Sequence, residues 1–388
     1  MQKEFSLLIK PASADCNLSC TYCFYLPKAS LYPETSRHRM SKATLERIIA
    51  SYLATKQTTY GFGWQGGEPT LMGIDFFQKV VELQKKYAAA NSVISNGLQT
   101  NATLITEDMA RFFGEYRFLI GISLDGPEEI HDINRKYRNG KGSYGQVIKG
   151  IELLQKHQVE FNILTAVNAA NVGKASEIYR FLLDLGVRYQ QYIPIVEFDD
   201  NNRPLPFSID GNQWGEFLKE IYELWYPHAG GVSIRLFDAI LTYLVEGSQS
   251  ICTMGRDCRQ YFMVEHNGDI YPCDFFAQSD LRLGNIMDNE WSDLLESPRY
   301  EAFGQQKSQW NDICNDCPYL DLCMGDCLKH RFRGAKSISD PRELSWLCSG
   351  WKSFYQFALP GFKRIARRIQ RSRSREIREH LASLSDIY

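Results

Sequence analysis

The chain has 388 residues, 44% hydrophobic and 23% charged, and its 44 Lys and Arg nearly cancel 46 Asp and Glu to leave a net charge of -2. That balance excludes an intrinsically disordered chain and a global electrostatic preference for nucleic acid. No stretch reaches the roughly 18 apolar residues of a membrane span and residues 1–10 are too short for a signal peptide, so two to three cytoplasmic domains of about 150 residues each are expected.

In chain order, apolar runs rich in β-branched and aromatic residues at 5–9, 60–64, 93–100, 118–124, 160–167 and 189–195 predict six strands. Helical patterns at 42–56, 74–87, 107–116, 144–155 and 174–185 lie between them and are long enough to cross between parallel strands. Local pattern leaves open whether such a sheet is closed, partly closed or open. Residues 198–206 turn to Pro, Asn and Asp, and aromatic helical stretches follow at 212–226 and 237–246, which puts a boundary near 230–250. Beyond it, short strands at 261–265 and 269–272 flank His266-Asn267-Gly268, a hairpin signal. The expected division is 1–230, 231–355 and a basic tail at 356–388. That tail carries Lys363, Arg364, Arg367, Arg368, Arg371, Arg373, Arg375 and Arg378 against Glu376. Phe362, Ile365 and Ile369 at helical spacing predict that one side of it docks on the first unit.

Eleven cysteines cannot all pair as disulfides, and reduced cytosolic thiols point instead to metal binding or catalysis. Cys16, Cys20 and Cys23 form a C-x3-C-x2-C run directly after the first strand, where parallel βα folds gather their ligand sites. A closed zinc site takes four ligands. A four-iron cluster on three thiolates leaves one iron open. Three buried thiols, or zinc with a distant fourth ligand, are the other readings of this run. The remaining eight, Cys252, Cys258, Cys273, Cys314, Cys317, Cys323, Cys327 and Cys348, suffice for two four-thiolate sites. C-x2-C spacing serves zinc there as readily as iron.

Gly66-Gly67-Glu68-Pro69 follows the second strand, and paired glycines let a backbone approach a ligand closely. It lacks the Gly-Lys-Ser/Thr of a phosphate loop. Ser123 ends the fourth strand with a hydroxyl donor, and Arg135 has the planar geometry that suits a carboxylate.

On the C-x3-C-x2-C run, with Tyr22 before its third cysteine, and on Gly66-Gly67-Glu68-Pro69, the sequence resembles the radical S-adenosylmethionine superfamily. The resemblance implies that Cys16, Cys20 and Cys23 hold a [4Fe-4S] cluster whose open iron chelates S-adenosylmethionine. It places Tyr22, Gly66, Gly67, Glu68, Ser123 and Arg135 around that cofactor. The later cysteines, with Tyr271-Pro272-Cys273-Asp274 among them, resemble the SPASM domain. This implies two auxiliary [4Fe-4S] clusters with interleaved ligands: Cys252, Cys258, Cys273 and Cys327 for one, Cys314, Cys317, Cys323 and Cys348 for the other. The implied fold is α/β, a partial parallel (β/α)6 barrel followed by a small loop-rich, iron-sulfur cluster-binding domain.

Residues 6–13, 23–25, 65–70, 98–101 and 271–275 are similar to the anaerobic sulfatase-maturating enzymes, with Ala102 where that family commonly has glycine. The family's activity is oxidation of a Cys or Ser in an unfolded or nascent sulfatase polypeptide to Cα-formylglycine by a 5′-deoxyadenosyl radical. The resemblance gives Asp274 the role of base and puts Gln65 and Tyr25 in the substrate cavity. An auxiliary cluster would accept the second electron, and an external donor such as flavodoxin or ferredoxin would supply the first. Two other readings stand beside it: a SPASM-type radical maturase acting on another ribosomally made peptide, for example by crosslinking, and a colourless zinc-stabilised scaffold.

Overall fold

The structure, a computed structural model, describes residues 4–331 and 340–385, with side chains through Ser374. The expectations placed on the side chains of Arg375, Glu376 and Arg378 lie outside the described residues.

Six βα units follow one another. They are β1 (Ser6–Lys10) with α1 (Lys42–Leu53), β2 (Thr59–Trp64) with α2 (Ile74–Tyr87), and β3 (Val93–Thr100) with α3 (Glu107–Glu115). Then come β4 (Leu119–Ser123) with α4 (Glu128–Asn134) and α5 (Tyr144–Lys156), β5 (Phe161–Val167) with α6 (Ala175–Asp184), and β6 (Tyr189–Pro194) with α7 (Gly211–Trp225). Every neighbouring pair from β1 to β6 is parallel. Helix starts are set by side-chain caps: Ser41, Thr106 and Asp210 accept the backbone N–H of Thr44, Met109 and Gln213. The short α4 is the helix that periodicity misses, because seven residues hold too few apolar repeats.

The sheet continues past both ends of this series, in the order β10-β9-β8-β1-β2-β3-β4-β5-β6-β7. Here β7 is Ser233–Ile234, followed by α8 (Arg235–Glu246), while β8 is Tyr261–Glu265, β9 Asp269–Tyr271 and β10 Gly284–Asn285. Because β7 and β10 are separate edges, the barrel is partial. Past residue 230, β7 extends the first sheet, and β8, β9 and β10 join that same sheet. The cause is the outer edge of β1, whose N–H and C=O groups need partners and find them in β8, paired in parallel from Ser6 with Tyr261 to Lys10 with Glu265. At the hairpin turn only Gly268 takes a positive φ, of 92°.

Four short helices follow, α9 (Trp291–Leu295), α10 (Pro298–Gln305), α11 (Leu320–Cys323) and α12 (Leu328–Arg331), and then α13 (Cys348–Ser385). The expected boundary at 356 falls inside α13, which starts at the last cysteine. Gly350 lets it approach α7 closely, since a Cβ there would stand 2.0 Å from the carbonyl of Gly211. Phe362 is buried against Tyr222, Trp225 and Phe237, which is the docking its spacing predicts. Lys363, Arg364, Arg367 and Arg371 face outward.

Candidate active site

At the carboxyl ends of the strands lies a cavity of about 310 Å³. Cys16, Cys20 and Cys23, in the loop after β1, line one side of it; Gln65, Gly66 and Gly67, after β2, line another. Asn101, Ser123 and Arg135 come from β3, β4 and α4, and Asp274 enters from beyond β9. Burial pushes the Cys16 thiol up to about 12 and the Cys20 thiol to about 11, the latter opposed by the nearby Arg135 guanidinium. Without a cation these thiols stay protonated. A metal centre supplies the positive charge that makes them thiolates.

The other eight cysteines fall into two neighbourhoods. Burial raises Cys327, and Cys252 and Cys258 add to it; Cys273 is raised by burial and then by Asp274, Cys327 and Cys258. Cys314, Cys317, Cys323 and Cys348 line a separate enclosed pocket with Trp310, Tyr319 and Tyr355. The eight thus group as four and four, beside the three of the cavity. A [4Fe-4S] cluster takes four thiolates, or three where one iron is left open. The donor sets therefore fit three clusters.

Ser123 Oγ accepts a hydrogen bond from Gln99 Nε2 at 3.2 Å and faces the cavity. Tyr22 lines it with its ring and donates its hydroxyl to the buried Asp125. Arg135 also faces it, but its Nε pairs at 3.1 Å with Asp125 Oδ2 and its guanidinium lies 5.5 Å from the Tyr22 ring centre. The carboxylate partner it has in the chain is thus Asp125. Gly66 and Gly67 line the cavity and also pack tightly on the β1 loop, since a Cβ on Gly67 would stand 2.0 Å from the carbonyl of Asp15.

Glu68 is not among the residues that line the cavity. It is fully buried away from the cavity and accepts from Thr70 N at 3.0 Å, Thr70 Oγ1, Thr100 Oγ1 at 2.7 Å and Asn101 N at 2.7 Å. Burial pushes its carboxyl up while these bonds hold it down. Glu68 is a strut that ties the glycine turn to the end of β3. Glu68→Ala is expected to cost about 3 kcal/mol by stranding these donors, read as a lower guanidinium midpoint, with Glu68→Gln costing less. Equal midpoints for the wild type and Glu68→Ala would remove the strut.

Tyr25 is likewise not among the lining residues; it is buried and donates its hydroxyl to Glu265. In front of it stands Lys10, which pattern reading passed over. Its Nζ lies 4.4 Å from the Tyr25 ring centre, 2.9 Å from Gln65 Oε1 and 3.5 Å from Asp274 Oδ2. Lys10 is 1% exposed. A lysine closing an apolar strand at its carboxyl end was the available signal. Asp274 further accepts from the Tyr261 hydroxyl at 3.0 Å and from Phe275 N at 3.1 Å. Ala102 holds a φ of 59° where glycine would be unstrained.

Residues 11–182 match the model of the radical SAM superfamily, and residues 252–318 match SPASM, an iron-sulfur cluster-binding domain. The chain is 37% identical to the cysteine-type anaerobic sulfatase-maturating enzyme of Clostridium perfringens (strain 13 / Type A), over 94% of this chain and 99% of the relative. It is 36% identical to the serine-type enzyme of Bacteroides thetaiotaomicron, over 92% and 90%. The solved structure of native anSMEcpe with bound AdoMet superposes with a TM-score of 0.87 at 36% identity, covering 94% of this chain and 100% of that one. Streptococcus suis SuiB bound to its precursor peptide SuiA, at a TM-score of 0.64 and 18% identity over 89% and 75%, shares the fold.

Proposed function

Because this chain belongs to the anaerobic sulfatase-maturating enzymes, within the radical S-adenosylmethionine superfamily, we propose that it oxidises a Cys or Ser side chain of a sulfatase polypeptide to Cα-formylglycine. One observation supports this most: Asp274 and Gln65 share a single cavity with Cys16, Cys20 and Cys23. When bound, the cluster on those three cysteines and S-adenosylmethionine supply the 5′-deoxyadenosyl radical that takes a hydrogen atom from the target Cβ.

The residues of the chain do the rest. Asp274 accepts the thiol or hydroxyl proton of the target, held in place by Tyr261 and Phe275 N on one oxygen and by Lys10 on the other. Lys10 also fixes Gln65, so the two groups that face the target share one anchor. Phe24 and Phe275 wall the cavity and continue into an adjoining groove with Phe198 and Phe207, an apolar path for an extended peptide. Cys273 is the residue before Asp274, so a cluster held by the first auxiliary set would sit beside the base and would supply an acceptor for the second electron.

The substrate in this reading is an unfolded or nascent sulfatase chain, and the first electron comes from a flavodoxin- or ferredoxin-like donor. Among the described residues no helix is long and apolar enough to cross a membrane. We place the reaction in the cytoplasm, where eleven free thiols stay reduced. The test is an anaerobic assay of iron-reconstituted protein with S-adenosylmethionine, a reductant and two sulfatase-motif peptides that differ only in Cys or Ser, read by mass spectrometry. Formylglycine at the target residue is expected in at least one peptide and names the target type. Formation of 5′-deoxyadenosine with both peptides unchanged would leave the radical chemistry and overturn the substrate.

A further inference from the structure

Between the two auxiliary cysteine sets the chain carries a turn of unusual backbone. Met324, Gly325 and Asp326 have φ values of 47°, 68° and 63°, three consecutive residues in the left-handed region. That region is strained for residues other than glycine, so something must hold the turn. Two buried cations do. Lys307 is 1% exposed and its Nζ donates to the carbonyls of Thr253 at 3.1 Å, Met324 at 2.8 Å and Asp326 at 2.5 Å. Arg331 is 0% exposed; its Nε donates to Gly325 O at 2.6 Å and its Nη2 to Met324 O at 2.7 Å, Lys307 O at 3.0 Å and Asp326 O at 3.1 Å.

Among the described residues, neither cation forms an ion pair with a carboxylate. Asp326, five residues before Arg331, is within electrostatic range of both cations, but its carboxylate pairs with His330 at 2.8 Å and accepts from Ser345 Oγ at 2.7 Å. Carbonyl dipoles satisfy the donors, and one shared carboxylate does not neutralise two buried charges, which are costly without a counter-charge. The segments stapled here flank the auxiliary cysteines: Thr253 follows Cys252, and residues 324–326 separate Cys323 of one set from Cys327 of the other. Cys258 and Cys327 lie within electrostatic range of both cations, and Cys323 within range of Arg331.

We infer that Lys307 and Arg331 are the shared counter-charge of the two auxiliary clusters and raise the reduction potential of both. A cluster gains negative charge when reduced, so a fixed cation beside it favours the reduced form; net charge and hydrogen bonding are the levers by which a protein sets such potentials. The role suits an acceptor that must draw an electron off the substrate. It rests on the reading that these eight cysteines hold iron-sulfur clusters.

The test uses the full chain with Cys16, Cys20 and Cys23 replaced by alanine, so that only the auxiliary clusters are read, by electron paramagnetic resonance during a redox titration. Lys307→Met is expected to disfavour reduction at least tenfold, which is about 59 mV downward for one electron, and Lys307→Arg to restore the parent potential. Arg331→Met, which leaves the lysine's bonds in place, should move it the same way. Unchanged potentials in the neutral variants, or equal shifts in Lys307→Met and Lys307→Arg, overturn the inference. If the neutral variants lose their iron while Lys307→Arg keeps it, the charge is needed even to hold the clusters. Loss from the arginine variant too would mean that shape alone matters and the inference fails. A parent protein that binds no iron overturns the cluster reading itself, and this inference with it.

Discussion

Protein carrying Cys20→Ala is expected to lose both 5′-deoxyadenosine and formylglycine formation by more than about 10³-fold, because groups that act as one unit fail together when any member is removed. Among the described residues, Cys16 and Cys23 are the only other cysteines lining the cavity, and the remaining eight lie in two other neighbourhoods. Iron per chain is therefore expected to fall by about one third after anaerobic reconstitution, with the brown absorption of the auxiliary centres retained. Iron content and product are measured on the same sample. Product at the wild-type rate with iron reduced would separate the three N-terminal cysteines from the chemistry.

Asp274→Asn is expected to behave differently, slowing formylglycine formation by about 10²–10⁴-fold, the usual worth of a positioned base, while 5′-deoxyadenosine still forms. Asparagine keeps the shape and an oxygen that can accept from Tyr261, but it cannot take a proton. It also leaves Lys10 without its anion, so some loss arises from Gln65, which shares that lysine. The ratio of 5′-deoxyadenosine to formylglycine is the informative quantity. A rise means hydrogen abstraction has been uncoupled from product. Equal loss of both would assign Asp274 to cofactor binding, and no loss would remove it from the reaction.

The six parallel strands and most of the helices were legible because each bears its own period: α2 occupies 74–87 and β3 occupies 93–100, as their patterns predict. Cysteine spacing likewise marked two cysteine-rich segments, while the ligand sets came from the resemblance. What escaped depends on partners far away in sequence. Nothing within Tyr261–Glu265 states that its neighbour is β1, since that pairing joins residues more than two hundred positions apart. The bonds of Glu68 to Thr100 and Asn101, and the packing of Lys10 on the Tyr25 ring, also join residues that no local pattern connects. Lys10 itself ends an apolar run, where pattern reading weighs the neighbours and passes over the charge.

The parallel seam between β1 and β8 also sets an order of events during synthesis. Strand β1 leaves the ribosome about 250 residues before its outer partner near residue 261, so through that interval this flank of the sheet is bare. A strand with unpaired N–H and C=O groups is a template for any other extended chain. A fragment ending near 230 would keep that exposure permanently, and clumping of such a fragment is the natural consequence. The segment that carries the auxiliary cysteines thus also seals the barrel's opening strand, and the two units are best regarded as one object in folding as in chemistry.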